Sequence, residues 1–88
     1  MGRNIITRRV MVGTEVVRII GENPKRKSFI IQNKGTASIY LLGSENLTKD
    51  DGIEVAAGAT FSDETSTGAI YAVAESGTQD VRVMVIGD

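Results

Sequence analysis

The segment NPKRKSFIIQNKGTASIYLLGSENLTKDDGIEV, residues 23–55, decides the fold class. It holds two apolar runs, KSFIIQN (27–33) and ASIYLLG (37–43), separated by the polar triplet KGT (34–36). Short runs rich in Ile, Phe and Tyr between turn residues read as strands. Strand alternation puts Phe29 and Ile31 opposite Ser28, Ile30 and Gln32, and Ile39 and Leu41 opposite Tyr40 and Leu42. The short connection predicts a hairpin, with Gly35 free to take positive φ. Asn23 and Pro24 mark a break before the first run, because proline lacks an N–H and pushes its predecessor out of the helical region. SENLTKDDG (44–52) reads as a loop with room for one helical turn, closed by the turn signal Asp51-Gly52.

Working outward, the pattern stays β. NIITRRVMV (4–12) and TEVVRII (14–20) flank Gly13 on the N-terminal side. IEVAAGATFS (53–62) reads as two short strands around Gly58, AIYAVAE (69–75) as a strand, SGTQ (76–79) as a turn, and DVRVMVI (80–86) as the last strand. DETSTG (63–68) is an acidic loop. Short strands with a turn every eight to twelve residues or so describe a small antiparallel β-sandwich or a jelly-roll-like barrel of about seven to eight strands. The chain is one domain, residues 1–88, whose first 15 residues serve as an N-terminal arm or an edge strand.

The alternation also shows a second face that is not cleanly polar. In the last strand Val81, Val83 and Val85 oppose Arg82, Met84 and Ile86. Together with Ile30, Tyr40 and Leu42, the side chains Met84 and Ile86 make that second face more apolar than a wet sheet face should be. A tightly curled barrel or a shifted register would account for it, and so would a subunit interface, which is the expectation carried forward.

Composition narrows the function. The chain has 88 residues, no Cys and no His. A domain of this size buries only about 60–65% of its unfolded surface and is marginal alone. Without Cys the disulfide route to extra stability is closed, which leaves partner subunits or an efficient core. Nucleophilic triads that need His or Cys are impossible. The carboxylates Asp50, Asp51, Glu54, Asp63 and Glu64 fall in or beside loops and read as solvated turn residues. DDGIE lacks the spacing of an EF-hand loop. No catalytic residue, metal ligand or cofactor is therefore expected. NPKRK is basic, but the four aromatics do not accompany it as a nucleic-acid surface would require. No apolar stretch approaches the roughly 20 residues of a membrane helix, and no export signal is legible, because Arg8 and Arg9 interrupt the first apolar run.

The net charge of −1 conceals an asymmetry. Residues 1–34 carry eight basic against two acidic side chains, or +6; residues 35–88 carry two against nine, or −7. Either the halves pair within the folded monomer, or they form a dipolar surface that docks on a partner or a second copy.

At NPKRKSFIIQNKGTASIYLLG, DGIEVAAGATFS and GAIYAVAESGTQDVRVMVI the chain resembles a family of small tailed-phage and virus-like virion proteins. The matching positions are Asn23, Pro24, Arg26, Gln32, Asn33, Tyr40, Gly52, Gly58, Tyr71, Ala72, Ser76 and Gly77. The resemblance runs from about Val16 onward and is a pattern of strands and turns. It implies a β-sandwich or jelly-roll-like domain on the outside of a virion that decorates or cements a capsid, or forms the base of a head or tail fibre, commonly as a homotrimer. It carries no catalytic residues. The expected partners are further copies of the chain and the major capsid protein or another virion protein, with neither nucleic acid nor membrane. The expected location is the virion, and the host cytoplasm during assembly. The residues expected at the interface are Arg8, Arg9, Lys25, Arg26, Lys27, Ile30, Leu42, Met84 and Ile86. Arg26 is expected to reach an acidic neighbour or a backbone carbonyl. A fibre or tail domain that binds a receptor or glycan is the alternative.

Overall fold

A computed structural model describes residues 4–64 and 67–87; Arg3 of the basic half, Asp88 of the acidic half and the middle of the predicted 63–68 loop lie outside them. Eight strands follow one another: β1 (Asn4–Val12), β2 (Val17–Ile20), β3 (Arg26–Asn33), β4 (Ile39–Leu42), β5 (Ile53–Val55), β6 (Thr60–Asp63), β7 (Ile70–Ala74) and β8 (Gln79–Gly87). A single 3-10 turn, Lys49–Asp51, interrupts the loop before β5. There the backbone N–H and hydroxyl of Thr48 both donate to the Asp51 carboxylate, at 3.0 and 3.2 Å.

The strands form two four-stranded sheets, β1-β8-β3-β6 and β2-β7-β4-β5. Every pairing is antiparallel. The fold is therefore a sandwich. Phe29, Ile31, Val81 and Val83 of the first sheet face Ile39, Leu41, Val55, Ala72 and Ala74 of the second, all buried. Phe61 packs its ring against Phe29 at a centroid distance of 6.1 Å and a tilt of 35°.

The expected β3–β4 hairpin does not form. β3 and β4 lie in different sheets, so residues 34–38 arch across the sandwich. Two side-chain amides hold the arch. Asn33, fully buried, donates to Ala37 O and Val55 O, both at 2.9 Å, and its Oδ1 accepts from Gly35 N at 2.9 Å. Gln79 Oε1 accepts from Thr36 N at 2.7 Å and Ala37 N at 3.1 Å, while its Nε2 donates to Ser76 O at 2.8 Å. These bonds pair backbone groups of the partly exposed connection that have no partner in either sheet. Gly35 is required for space: a Cβ there would overlap Gln79. Positive φ occurs instead at Gly58 (83°) and Gly77 (60°), in the β5–β6 and β7–β8 turns.

The Asn23-Pro24 break forms the expected turn, with Arg26 N donating to Asn23 O at 3.1 Å and Lys25 N to Asn23 Oδ1 at 2.9 Å. Among the described residues no helix is long and apolar enough to cross a membrane.

Candidate interface on the outer sheet face

The register of the first sheet fixes what its outer face presents. Ile5 sits opposite Ile86, and Ile86 opposite Ser28. The next row runs Thr7, Met84, Ile30, Ser62. The row after it runs Arg9, Arg82, Gln32, Thr60. An apolar band of Ile5, Ile86, Met84 and Ile30 thus crosses three strands and is bordered by polar side chains. Ile5 is 62% exposed, and the other three are half-buried. Beside the band, Thr7, Ile30, Gln32, Thr60, Arg82 and Met84 line a shallow depression of about 310 Å³. Arg82 is ion-paired with Asp80 two residues earlier on the same face. Arg9, directly opposite Arg82, makes no hydrogen bond or ion pair with the described residues.

Ile30, Met84 and Ile86 are therefore together, as the alternation indicated, and Ile5 joins them. Leu42 does not. It belongs to the second sheet and is 2% exposed. The 44–52 loop folds back over β4, so close that a Cβ on Gly52 would come within 2.9 Å of Leu42 Cδ2 and Tyr40 Cβ. Alternation assigned Leu42 to the outer side of its strand correctly; a covering loop then buried it.

The basic residues disperse. Successive strand residues point to opposite sides, so Arg9 reaches the outer face while Arg8 turns back and donates from Nη2 to Ile19 O at 2.5 Å. Lys25 and Lys27 are exposed near the start of β3, beside a register shift between Arg26 and Ser28. Arg26 is not a docking charge: it is 3% exposed. It donates to Gly21 O at 3.0 Å and Gly68 O at 2.8 Å, and its guanidinium lies 5.3 Å from the Phe29 ring centroid. The expected backbone-carbonyl contact is present, but it clamps the β2–β3 and β6–β7 connections together inside the fold. Burial lowers the pKa of Arg26 and the negative charge of Asp63 opposes that shift; the group stays ionised at neutral pH, since an arginine starts so high.

The outer face of the second sheet has the opposite character. Tyr40 donates from its hydroxyl to Glu75 at 2.6 Å, and Ser38 Oγ donates to Glu54 at 2.7 Å. The bond to Glu75 and the surrounding charges of Glu75, Glu54 and Asp50 push the Tyr40 phenol up to about 12. Tyr71, opposite Leu42 and Arg18, shares this face. Among the described residues no set of three or more carboxylates converges where it could hold a metal ion.

Two solved structures share this architecture. One is the stem and receptor-binding domain of the spike protein P1 from bacteriophage PM2, similar with a TM-score of 0.64 and 21% identity. The fold is shared with a phage spike domain. The match covers 86% of this chain but 31% of the spike chain. The other comes from Bacillus endospore appendages, a family of disulfide-linked pili, with a TM-score of 0.58 and 14% identity over 97% of this chain and 85% of that one. No protein-family model matches the sequence, and no curated protein does.

Sequence reasoning missed Asn33 and Gln79 as buried polar residues. Both sit at the ends of apolar strands beside small or polar connections, where a side-chain amide can replace a missing ladder partner.

Proposed function

We propose that this chain is a non-enzymatic structural virion protein: a capsid decoration or cement domain that binds the outer capsid surface and stabilises the shell as a homo-oligomer, three copies being the expected number. The observation that carries the reading is the band of Ile5, Ile30, Met84 and Ile86 on an otherwise solvent-facing sheet. Burying such a side chain fully is worth about 1.5–3 kcal/mol; Ile5 has most of that still to gain on association, and the half-buried Ile30, Met84 and Ile86 a smaller part. The absence of His and Cys removes the residues most enzymes of this size would rely on. The test is electron microscopy of particles assembled with and without the protein, together with rebinding of purified protein to stripped particles. Density on the shell surface that disappears with the protein supports the reading; unchanged shells and no rebinding would sink it.

A second reading, a spike or fibre domain that contacts a receptor or glycan, is favoured by the likeness to the phage spike domain. Labelled protein located at a vertex or tail rather than across the shell would support it over decoration.

A further inference from the structure

The two side edges of the sandwich carry opposite charge. One edge is made by β1 and β2, which Arg8 joins across the layers through Ile19 O. The other is made by β5 and β6, which Asn33 ties down through Val55 O and, from its backbone N–H, Ala59 O. β1 and β2 hold Arg8, Arg9 and Arg18 and no acidic residue. β5, β6 and the adjoining 3-10 turn hold Asp50, Asp51, Glu54 and Asp63 against Lys49. The charge asymmetry of the sequence has become a dipole from one edge to the other.

The same edges carry the apolar surface. Six large apolar side chains are exposed among the described residues, and five of them lie on edge strands: Ile5, Ile6 and Met11 on β1, Val17 on β2 and Ile53 on β5. β1 is nine residues long, contains no proline and pairs with β8 in unbroken register. Its outer edge presents a row of backbone donors and acceptors, a template for another strand.

Strand direction says what kind of partner fits. Each sheet has four strands, all antiparallel, so its first and last strands run in opposite directions. A second copy set alongside in the same orientation brings its β1 antiparallel to β6 and its β2 antiparallel to β5. Basic edge then meets acidic edge. Pairing two β1 edges with each other would instead set Arg8 and Arg9 against their own kind, which is unfavourable.

We propose that the β1/β2 edge of one copy docks on the β5/β6 edge of the next, a head-to-tail contact that continues both sheets across the subunit boundary. The proposal rests on the self-association in the proposed function but not on the virion assignment. Closed into a ring, the contact turns one outer sheet face of every copy toward the axis, so edge docking and the apolar band serve one assembly.

The experiment uses paired charge reversals on the full chain. Arg9→Glu with Arg18→Glu makes both edges acidic; Glu54→Lys with Glu64→Lys, the latter at the residue that follows β6, cancels the net negative charge of the β5/β6 edge. None of these four side chains is buried, and Arg9, Arg18 and Glu64 make no hydrogen bond or ion pair with the described residues. Circular dichroism and melting verify that both variants fold, and the milder pair Arg9→Gln with Arg18→Gln substitutes for any that does not. Sedimentation should show each variant alone associating about tenfold more weakly or worse, as expected on loss of close charge pairs. An equimolar mixture should restore association, with fluorescently labelled variants transferring energy between unlike copies. Amides of β1 should also lose hydrogen-exchange protection in each variant and regain it in the mixture. Variants that keep the parent's association, or that dissociate and are not rescued by mixing, would overturn the proposal. If Met84→Asp dissociates the protein while the edge variants do not, the face contact stands and the edge contact falls. A monomeric parent at high concentration overturns the edge contact wherever the chain is found in the particle.

Discussion

Gln79 occupies the space that a side chain on Gly35 would need. Its Oε1 would overlap a Cβ there, and its own Cβ would lie 2.9 Å away. The same Oε1 accepts from Thr36 N and Ala37 N, so the amide cannot swing aside without leaving two backbone donors unpaired. Gly35→Ala is therefore expected to destabilise the fold by about 1–3 kcal/mol. In a domain of this size that lowers the melting midpoint by roughly 5–20 °C. Gly43→Ala is the control: nothing lies within 4 Å of its Cβ position and its φ is not positive, so its midpoint should hold or rise slightly. Equal midpoints for the two variants would refute the steric account.

Arg26 is expected to resist conservative replacement. Arg26→Lys keeps the charge but loses the planar fork that reaches Gly21 O and Gly68 O together and stacks on Phe29. The loss should be about 1–3 kcal/mol, read as a lower denaturant midpoint at unchanged slope. A midpoint equal to that of the parent would return Arg26 to the surface role that its sequence context suggests.

Tyr40 should titrate late. Its pKa is raised to about 12, first by the hydrogen bond to Glu75. In a Tyr71→Phe background, ultraviolet absorbance follows Tyr40 alone. Its ionisation should shift back toward the ordinary phenol value of about 10 when Glu75→Gln removes the charge. The sign for stability follows from the raised folded pKa. The contribution is complete below about pH 10, where the unfolded phenol keeps its proton, and is lost as pH rises through the folded value. An ionisation that Glu75→Gln leaves unmoved would show that Glu75 is not the cause.

Two neighbours on β8 should fail differently. Met84 points outward and is half-buried, whereas Val83 points inward and is fully buried. On the proposed self-association, Met84→Asp is expected to give a monomer while circular dichroism stays that of a folded β protein. Val83→Asp puts a charge in the core and should unfold the chain. Leu42→Asp should behave like Val83→Asp, because the 44–52 loop covers it. Light scattering and circular dichroism on the three variants separate the cases; a Met84→Asp oligomer of parental size would count against the face contact.

The sequence by itself determined the strands and which way their side chains point. Asn4–Val12 reads as a strand from its Ile, Thr and Val content, and Phe29, Ile31, Val81 and Val83 are inward because a strand repeats every two residues. These are local properties, set by neighbours along the chain. Pairing is not local. β1 takes β8 as its partner from the other end of the chain, and β3 and β4 part into different sheets although only five residues separate them. The arch is held by Asn33 and Gln79: Asn33 bonds it locally and ties it to Val55, and Gln79 satisfies its backbone from a position distant in sequence. Burial of Arg26 and Leu42 was decided in the same way, by the carbonyls of Gly21 and Gly68 and by the returning 44–52 loop. Alternation tells a side chain which face of its strand it leaves from; only the packed chain decides what covers that face.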